Sequence, residues 1–345
     1  MLEPKPNWSD IPRCVSREME SILGSVVKKT EIVYGGFGPS ATFRLYLQDG
    51  RTIFVKGAGK GSTSVNWKGV KKEEILYQEV KAVQAFSPAY IGSVKQSDWH
   101  LLLLEDMGHA VEVPPWTEAL ARNAMEGVAQ FHLLGLQEKA KLEKMDVATF
   151  AFQWRMLKET KAERELLFAL FPGKRDEIIT WFDHVIDHLI EAEERVFDIN
   201  QPWGLIHCDL RSDNLRFLEQ KLILFDWATT CMGPLMLDIA FFLPSIWGQS
   251  GPFPSILLTE YTGIMQNNGV VFSQSSIEAA AAFTAGFFAA RAGKEPIDFL
   301  PRLRAIQYMQ LGPALHWVAD ALGLPAPPSL PPLERNGLDA DKSLN

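Results

Sequence analysis

Cysteine is scarce in this sequence, and positive charge is in deficit. Of the 345 residues only three are cysteines, and Cys14, Cys208 and Cys231 are not clustered. This usage argues against a zinc site or a disulfide framework and is typical of a reducing compartment. The formal net charge is −8 at pH 7. Because a nucleic-acid-binding surface needs positive charge, this balance argues against a nucleic-acid partner.

Long apolar runs are also missing. The most apolar long stretch, Ala279–Ala290, is too short to span a bilayer and ends at Arg291. The opening residues MLEPKPNWSD contain no apolar core of a signal peptide. We therefore expect a cytoplasmic protein without a membrane partner. The content of 47% apolar and 22% charged residues is typical of a globular protein, and the length suffices for two lobes.

The sequence does contain a compact group of polar residues around position 210. His207, Asp209 and Asn214 form an H-x-D-x-x-x-x-N pattern, and Asp226 follows the apolar run Leu222–Phe225. Phosphoryl transfer needs a carboxylate that accepts the proton of the attacking hydroxyl, and oxygen ligands that hold magnesium at the nucleotide phosphates. Asp209 is the candidate base, and Asn214 and Asp226 are the candidate Mg²⁺ ligands. The alternative is that both aspartates are ordinary turn and strand-end acids.

This segment resembles the catalytic and metal-binding loops of the aminoglycoside phosphotransferase and choline kinase family. The usual family pattern is H-G-D-x-x-x-x-N, followed by an apolar strand that ends in D-W or D-F; Cys208 stands where the family mostly has Gly. The resemblance implies an α+β, two-lobe protein-kinase-like fold. A nucleotide-binding lobe with a small antiparallel sheet is expected in residues 1–105, a mainly helical catalytic and substrate-binding lobe in residues 106–324, and a flexible tail in residues 325–345. The implied cofactors are ATP or GTP and Mg²⁺.

Three strand-like runs precede position 60, namely Glu31–Tyr34, Thr42–Gln48 and Thr52–Lys56. Asp49-Gly50, between the second and third runs, predicts a β-hairpin. The link between the first and second runs contains Gly36 and Gly38 and resembles the loop that covers nucleotide phosphates in kinases. Glycines let backbone N–H groups approach phosphate oxygens closely. An ordinary glycine-rich hairpin turn is the alternative.

Lys56 closes the third of these strands. In the kinase fold that the resemblance implies, a lysine at this place pairs with the α- and β-phosphates and with a helix glutamate. The helix predicted over Lys71–Phe86 offers Glu79, because the segment YQEVKAVQAF resembles the R-E-x-x-x-L-x-x-L helix of the family. Glu73 and Glu74 are earlier candidates, but acids in a first helical turn also favour the helix dipole alone.

The apolar strand His100–Leu104 leads into the segment Glu105-Asp106-Met107-Gly108. This segment resembles the hinge between the lobes of the family. Backbone groups near Glu105 and Met107 would there bind the adenine base. An ordinary exit from a strand into a loop is the alternative.

Most of the remaining chain has a helical pattern. The predicted helices are Ser16–Leu23, Trp116–Leu136, Phe150–Phe171, Asp176–Phe197, Met236–Trp247, Ile277–Ala292 and Pro301–Leu322. Gly57–Gly69 is predicted to be a mobile loop, and Glu219-Gln220 a hairpin turn. In the resembling family, the aspartate that corresponds to Asp238 supports the catalytic loop through hydrogen bonds, and His207 is expected to brace that loop.

Arg211 lies two residues past Asp209. A guanidinium at this place could reach the γ-phosphate and stabilise its developing charge. A surface arginine that pairs with Asp213 is an equal alternative.

Acidic residues recur along one face of the helix Asp176–Phe197, among them Asp183 and Asp187. A solvated face explains this pattern. The other interpretation is that these carboxylates border the acceptor cleft, because the resembling family builds its cleft partly from the corresponding region and binds cationic acceptors against acidic walls. That interpretation indicates a hydroxylated, preferably cationic, small molecule.

We therefore expect a small-molecule kinase that transfers the γ-phosphoryl group of ATP or GTP to a hydroxyl group. An aminoglycoside-like antibiotic and an amino alcohol are candidate acceptors. The main alternative is a pseudokinase-like scaffold that binds a nucleotide or a partner without turnover. A protein kinase is disfavoured by the short chain between Asp226 and Asp238. An unrelated α/β binding protein would require the motif to be accidental.

Overall fold

The computed structural model describes residues 4–34, 40–138, 142–145, 152–197, 200–298 and 300–332. These residues form two lobes, a smaller one with an antiparallel sheet and a larger one that is mainly helical. This is the kinase-like architecture expected from the sequence. Within these ranges, no helix combines the length and the apolar character that crossing a membrane requires.

The smaller lobe contains a five-stranded antiparallel sheet with the strand order β1-β2-β3-β5-β4. Its strands are β1 (Val27–Ile32), β2 (Ala41–Leu47), β3 (Thr52–Ala58), β4 (Tyr90–Gln96) and β5 (Trp99–Glu105). The hairpin predicted at Asp49-Gly50 joins β2 to β3. Gly50 has a φ of +90°, a conformation that glycine adopts without steric penalty. β4 has no counterpart among the predicted strands.

The strand β5 is apolar along its length because both of its faces are covered. Leu101 and Leu103 belong to a cluster between the sheet and helix α1 (Arg13–Leu23). Leu102 and Leu104 belong to the main core, which continues into the larger lobe. A strand that is buried on both sides reads as one continuous apolar run.

Two helices connect β3 to β4. They are α2 (Ser64–Glu79) and α3 (Lys81–Phe86). The prediction of a single helix over Lys71–Phe86, preceded by a mobile loop, is therefore wrong in two respects. The first helix begins earlier because the Thr63 side chain accepts a hydrogen bond from a first-turn N–H and caps it. The helical path then breaks at Val80, whose backbone is extended.

Gly69 lies inside α2, and the glycine at this position is one reason why the start of this helix resembles a loop in the sequence. A Cβ atom at Gly69 would lie 3.2 Å from the Cβ atom of Ala228. Ala228 belongs to the 3₁₀ turn Trp227–Thr229, which directly follows Asp226. The glycine therefore serves the close approach of α2 to this turn.

The larger lobe contains the remaining helices of the described residues. They are α4 (Glu118–Gly135), α5 (Gln153–Glu159), α6 (Lys161–Phe168), α7 (Arg175–Glu194), α8 (Met236–Gly248), α9 (Pro254–Asn267), α10 (Gln274–Ala289) and α11 (Leu303–Ala321). α5 and α6 replace the single helix predicted over Phe150–Phe171, because the backbone is extended at Thr160. α9 is absent from the prediction, although it begins at a proline, a residue that is favoured in a first helical turn.

Two short antiparallel pairs lie between α7 and α8. β6 (Trp203–Ile206) pairs with β9 (Cys231–Pro234), and β7 (Leu215–Leu218) pairs with β8 (Lys221–Leu224). The predicted turn at Glu219-Gln220 joins β7 to β8. Both turn residues have positive φ angles.

Residues 325–332, predicted as the start of a flexible tail, lie against the helices of the larger lobe. Trp181 Nε1 donates to the carbonyl oxygen of Pro325 at 2.7 Å, and Tyr308 OH donates to that of Pro331 at 2.7 Å. Leu330 packs against the core. The rest of the predicted tail, residues 333–345, lies outside the described residues.

Glu193 in α7 is a buried carboxylate that caps another helix. Only 1% of its surface is exposed. Its two oxygens accept hydrogen bonds from Gln153 N and Trp154 N at the start of α5, both at 3.0 Å. Burial nevertheless raises the pKa of Glu193 to about 7, because these two bonds do not replace the lost hydration of the carboxylate.

We predict that Glu193 destabilises the fold as the pH rises from about 4.5 to about 7. In this window the folded chain binds the proton more tightly than the unfolded chain, so the free energy of unfolding falls with rising pH. In the Glu193→Gln variant, the urea concentration at the midpoint of unfolding should decrease less than in wild type between about pH 5 and about pH 8. Glu191→Gln, on the exposed face of the same helix, should not. Equal slopes for wild type and Glu193→Gln would contradict the prediction.

Candidate active site

The predicted base and the predicted amide ligand lie side by side in the loop after β6. Asn214 Nδ2 donates to the carbonyl oxygen of Asp209 at 2.9 Å and to Asp209 Oδ2 at 2.8 Å. These bonds direct the amide nitrogen of Asn214 toward Asp209, so its Oδ1 is turned to the other side. Phe225 N donates to the carbonyl oxygen of Asn214 at 2.9 Å. This bond joins the loop to the segment that carries Asp226.

Asp238, in the first turn of α8, holds the backbone of this loop. It is fully buried and accepts hydrogen bonds from His207 N and Cys208 N, both at 2.7 Å. His132 Nε2 lies 3.0 Å from the same carboxylate, and His132 Nδ1 lies 2.8 Å from Tyr261 OH. The supporting hydrogen bonds that the family resemblance implies for Asp238 are therefore present.

The His207 ring braces the loop from inside. Asp209 N donates to His207 Nδ1 at 3.3 Å, and His207 Nε2 lies 2.8 Å from the carbonyl oxygen of Phe225. A backbone N–H can only donate and a carbonyl can only accept, so Nε2 is the protonated nitrogen. The ring centroid lies 4.8 Å from that of Trp227. Both nitrogens of His207 thus make structural bonds, in agreement with the expected bracing role.

Cys208 has a φ of +68°. This left-handed conformation favours glycine, the residue that the resembling family mostly has here. The Cys208 side chain is half-buried. A hydrogen bond with the Cys231 thiol, together with burial, raises the pKa of Cys208. The thiol is therefore protonated at neutral pH and is a poor nucleophile.

Lys56 on β3 lies between two carboxylates. Its Nζ atom is 2.9 Å from Glu73 Oε1 and 2.8 Å from Asp226 Oδ1. The same Glu73 oxygen accepts a hydrogen bond from Trp227 N at 2.8 Å. Burial alone would lower the pKa of Lys56, but the two carboxylates outweigh burial and raise that pKa. Lys56 is therefore charged at neutral pH.

The helix partner of Lys56 is Glu73, and the prediction of Glu79 for this role is wrong. Glu79 is the exposed last residue of α2. Because α2 begins at Ser64, Glu73 lies near the middle of the helix rather than in its first turn. Six residues rotate a helix by roughly 600°, or 240° beyond a full turn, so Glu79 faces away from Lys56. Glu74 contacts side chains of β4 and β5 instead.

The two aspartates of the site have opposite pKa shifts. Burial raises the pKa of Asp209, and the charge of Asp226 adds to this rise, while Arg211 opposes it. For Asp226 the effect of burial is outweighed by Lys56, which lowers the pKa of Asp226. Asp226 is thus a stable anion suited to a cation, whereas Asp209 accepts a proton more readily than an ordinary aspartate.

Arg211 is held against the candidate base. Its Nε atom lies 3.1 Å from Asp209 Oδ1, and its Nη1 atom lies 3.5 Å from Asp213 Oδ2. Only 13% of the Arg211 side chain is exposed. Arg211 thus pairs with Asp213, as one alternative predicted, but it is largely buried and also contacts Asp209. Its contact with the γ-phosphate stays a prediction.

The predicted hinge lies where β5 leaves the sheet at Glu105. Arg44 Nε donates to Asp106 Oδ2 at 2.8 Å and ties this connection to the sheet. Met107 is buried and packs with Ile223 of β8. The connection between the lobes thus lies against the β7–β8 hairpin, which links the two candidate magnesium ligands.

A cavity of about 140 Å³ opens between the loop after β6, the end of α8 and the start of α11. Its lining residues are Arg211, Asp213, Ser245, Gly248, Gln249, Arg302, Ile306, Met309 and Gln310. Gln249 and Arg302 have no counterpart among the predicted site residues. Neither belongs to a local motif, and the packing of α8 and α11 brings them to the catalytic loop.

The four remaining predicted site residues fall into two groups. Gly36 and Gly38 lie outside the described residues. Asp183 and Asp187 lie on the exposed side of α7, and Asp187 pairs with Lys158 at 2.5 Å. α7 packs against α5, α6 and α10, and neither aspartate lines the cavity. The acidic face therefore does not form a wall of it.

The residues present fit a magnesium ion that is bound together with a nucleotide. In the part of the chain that the structure describes, no three His, Cys, Asp or Glu side chains converge as a metal cage. Mg²⁺ is usually held by one or two protein oxygens together with substrate phosphates and water. The Asp226 carboxylate and Asn214 Oδ1 offer such oxygens.

Sequence comparison identifies one matching family. The model of the phosphotransferase enzyme family (APH) matches residues 68–266, a segment that includes Glu73, Asp209, Asn214 and Asp226. No curated protein matches the chain.

Several solved structures are similar to this chain. One is spectinomycin phosphotransferase APH(9)-Ia in complex with ADP and spectinomycin, with a TM-score of 0.56 and 14% identity over 89% of this chain and 98% of that chain. A second is an aminoglycoside phosphotransferase from Alicyclobacillus acidocaldarius subsp. acidocaldarius, with a TM-score of 0.58 and 15% identity over 90% and 95% of the two chains. A third is amicoumacin kinase hAmiN in complex with AMP-PNP, Ca²⁺ and Ami, with a TM-score of 0.51 and 12% identity over 87% and 95%. These similarities show a shared fold.

We predict that Glu73, and not Glu79, is energetically coupled to Lys56. Glu73→Gln leaves the buried ammonium with one carboxylate fewer and should lower the free energy of unfolding by roughly 1–3 kcal/mol. Glu79→Gln should change it by less than about 0.5 kcal/mol. Urea denaturation of each variant, alone and combined with Lys56→Met, gives both coupling free energies. A larger coupling for Glu79 than for Glu73 would sink this assignment.

Proposed function

Because the chain belongs to the phosphotransferase enzyme family, which comprises small-molecule kinases, we propose that it transfers the γ-phosphoryl group of ATP or GTP to a hydroxyl group of a small molecule. The observation that carries this proposal is the meeting of Lys56, Asp209, Asn214 and Asp226 in one cleft between the lobes. Nucleotide binding is assigned to residues 1–105, and catalysis and acceptor binding to residues 106–324.

Asp209 is assigned as the general base. The acceptor O–H gives its proton to the Asp209 carboxylate, while the acceptor oxygen forms a bond to the γ-phosphorus and the bond between that phosphorus and the departing ADP or GDP breaks. The raised pKa of Asp209 supports this role. The bond from Asn214 Nδ2 keeps the carboxylate in a fixed orientation.

Asn214 and Asp226 are assigned as the ligands of Mg²⁺, which when bound neutralises charge on the phosphates. Lys56 keeps the pKa of Asp226 low and thus keeps this carboxylate ionised. The amide of Asn214 presents its oxygen on the side away from Asp209. Both side chains therefore offer an oxygen to a cation without a change of protonation.

Lys56 is assigned to the nucleotide phosphates, with Glu73 as the residue that positions it. The contact between Lys56 and Glu73 fixes the ammonium at the cleft face of the sheet. Arg211 is assigned to the charge that develops on the transferred phosphoryl group, because its guanidinium already lies beside the base.

The adenine or guanine base is assigned to backbone groups near Glu105 and Met107, at the connection between the lobes. Gly36 and Gly38 stay a prediction for the loop over the phosphates. Backbone groups near the hinge offer both donors and acceptors, so they suit either base.

The acceptor is assigned as a small molecule. Two of the similar structures are a spectinomycin phosphotransferase and an amicoumacin kinase, each in complex with its small molecule, which supports this class. The net charge of −8 supports the absence of a nucleic-acid partner. The acidic face with Asp183 and Asp187 gives no support to a cationic acceptor, because it lies away from the cavity. The presence of Lys56, Glu73, Asp209, Asn214 and Asp226 together supports turnover over a pseudokinase-like scaffold.

We expect Asp209→Asn to lower kcat by at least about 100-fold and to leave nucleotide binding near the wild-type level. The amide keeps the shape of the side chain but cannot accept the proton. The measurements are ADP release in a coupled assay, over a panel of hydroxylated antibiotics, amino alcohols, sugars and hydroxy acids, and the thermal shift caused by Mg-nucleotide. Asp187→Asn, on the exposed face of α7, is the matched control.

Wild-type turnover by Asp209→Asn would remove this residue from the role of base. A wild-type protein that shows neither a thermal shift with MgATP or MgGTP nor release of ADP or GDP would reject the kinase proposal as a whole.

A further inference from the structure

Three side chains form a hydrogen-bonded cluster beside the catalytic loop, and no step of the proposed reaction uses it. Gln249 Oε1 accepts hydrogen bonds from Trp116 Nε1, at 3.0 Å, and from Ser212 Oγ. Trp116 Nε1 also lies 3.3 Å from Ser212 Oγ. Because an indole N–H can only donate, the amide oxygen of Gln249 is the atom that both partners share. We call these three residues the indole–amide cluster.

The cluster connects three segments that are distant from one another in the sequence. Trp116 lies between β5 and α4, Ser212 is the first residue of the 3₁₀ turn Ser212–Asn214 in the catalytic loop, and Gln249 directly follows α8. Only 7% of Trp116 and 1% of Ser212 are exposed. A buried polar group that loses its partner is strongly disfavoured. The Gln249 oxygen therefore fixes the position of the Ser212 side chain.

The turn that begins at Ser212 determines where two proposed functional groups lie. Arg211 directly precedes this turn, and Asn214 is its last residue. Asn214 N donates to the carbonyl oxygen of Arg211 at 2.9 Å, which joins the two ends of the turn. Asp238 holds the loop on the other side of Asp209, at residues 207 and 208. Asp209 thus lies between two anchored parts of the same loop.

The indole of Trp116 gives the cluster a rigid base. Its ring centroid lies 5.8 Å from that of Phe242 in α8 and 6.4 Å from that of Phe217 in β7. A Cβ atom at Gly251 would lie 3.2 Å from the Cβ atom of Trp116. These contacts fix the direction in which the indole N–H points, and this direction in turn places the Gln249 oxygen.

We propose that Gln249 is a positioning residue for phosphoryl transfer. Acting through Ser212, it holds the turn with Arg211 and Asn214 in the geometry in which Asp209 can deprotonate the acceptor. This inference rests on the proposed function and adds to it a residue that takes no part in proton transfer. A residue that serves stability alone would change the thermal midpoint, whereas a positioning residue lowers kcat in protein that remains folded.

The test uses variants that keep or remove the shared oxygen. Gln249→Ala removes it, Gln249→Glu keeps an oxygen that accepts both bonds, and Ser212→Ala removes the hydroxyl through which Gln249 acts. The matched control is Gln266→Ala, because Gln266 is an exposed glutamine in the last turn of α9. ADP release is measured with the best acceptor of the panel, at saturating Mg²⁺, on variants that thermal unfolding shows to be folded at the assay temperature.

We expect Gln249→Ala to lower kcat by about 10- to 100-fold, because small displacements of reacting groups have effects of this size. KM for ATP should stay within about threefold of wild type. Gln249→Glu should restore kcat to within about threefold of wild type. The double variant Gln249→Ala, Ser212→Ala should be slower than the slower single variant by less than about threefold, because both changes break one connection. Gln266→Ala should behave like wild type.

Three results would overturn the inference. They are an unchanged kcat in Gln249→Ala, an equal loss of kcat in Gln249→Ala and Gln249→Glu, and single effects that multiply in the double variant. The last result would indicate that Gln249 acts independently of Ser212.

If no acceptor in the panel is phosphorylated, the Mg²⁺ concentration that gives half of the thermal shift with ATP decides, because Asn214 lies on the same turn. This concentration should rise by about threefold or more in Gln249→Ala and stay near the wild-type value in Gln249→Glu and Gln266→Ala. Equal values in all variants would defeat the inference, while the normal shift of the wild type leaves the proposed function intact. A wild type that shows neither a shift with MgATP or MgGTP nor release of ADP or GDP is instead the failure of the proposed function.

Discussion

The geometry of the catalytic loop depends on one buried carboxylate, that of Asp238. Two backbone N–H groups of the loop and the ring of His132 converge on it. A buried carboxylate without hydrogen-bond partners is strongly disfavoured in a protein interior. Asp238 therefore holds each of these three partners in place. Cys208 accepts a left-handed backbone conformation between these bonds. The position of Asp209 is therefore imposed by α4 and α8 as much as by the loop itself.

The sequence patterns predict those parts of the fold that depend on neighbouring residues. Asp49-Gly50 marks the β2–β3 hairpin, and the apolar run in β5 follows from burial on both of its faces. The start of α2 is not predicted, because Gly69 is needed for contact with Ala228, far away in the sequence. The local composition is the same for a glycine that permits a loop to bend and for a glycine that permits close contact between two secondary-structure elements.

The same limit applies to the site. Asp209, Asn214 and Asp226 lie within twenty residues of one another, so their spacing was enough to place them together. The prediction of the glutamate that contacts Lys56 required the position of Glu73 and Glu79 within α2, and this position follows from the first residue of the helix. Arg302 enters the cavity through helix packing and has no local signal. An acidic periodicity looks the same on a solvated face and on a cleft wall, and the structure places that of α7 in solvent.

The Glu73 carboxylate limits how the two lobes can move. One of its oxygens contacts both Lys56 in the sheet and the backbone of Trp227 in the larger lobe. The chain itself joins the lobes a second time at residues 105–108, where Arg44 binds Asp106. The helices α2 and α3 add further contacts, because Gly69 closely approaches Ala228, Ala82 N donates to Glu138 Oε1 at 2.7 Å, and both lobes share the main core. A free separation of the lobes would break all of these contacts together, and we therefore do not expect the cleft to open in that way.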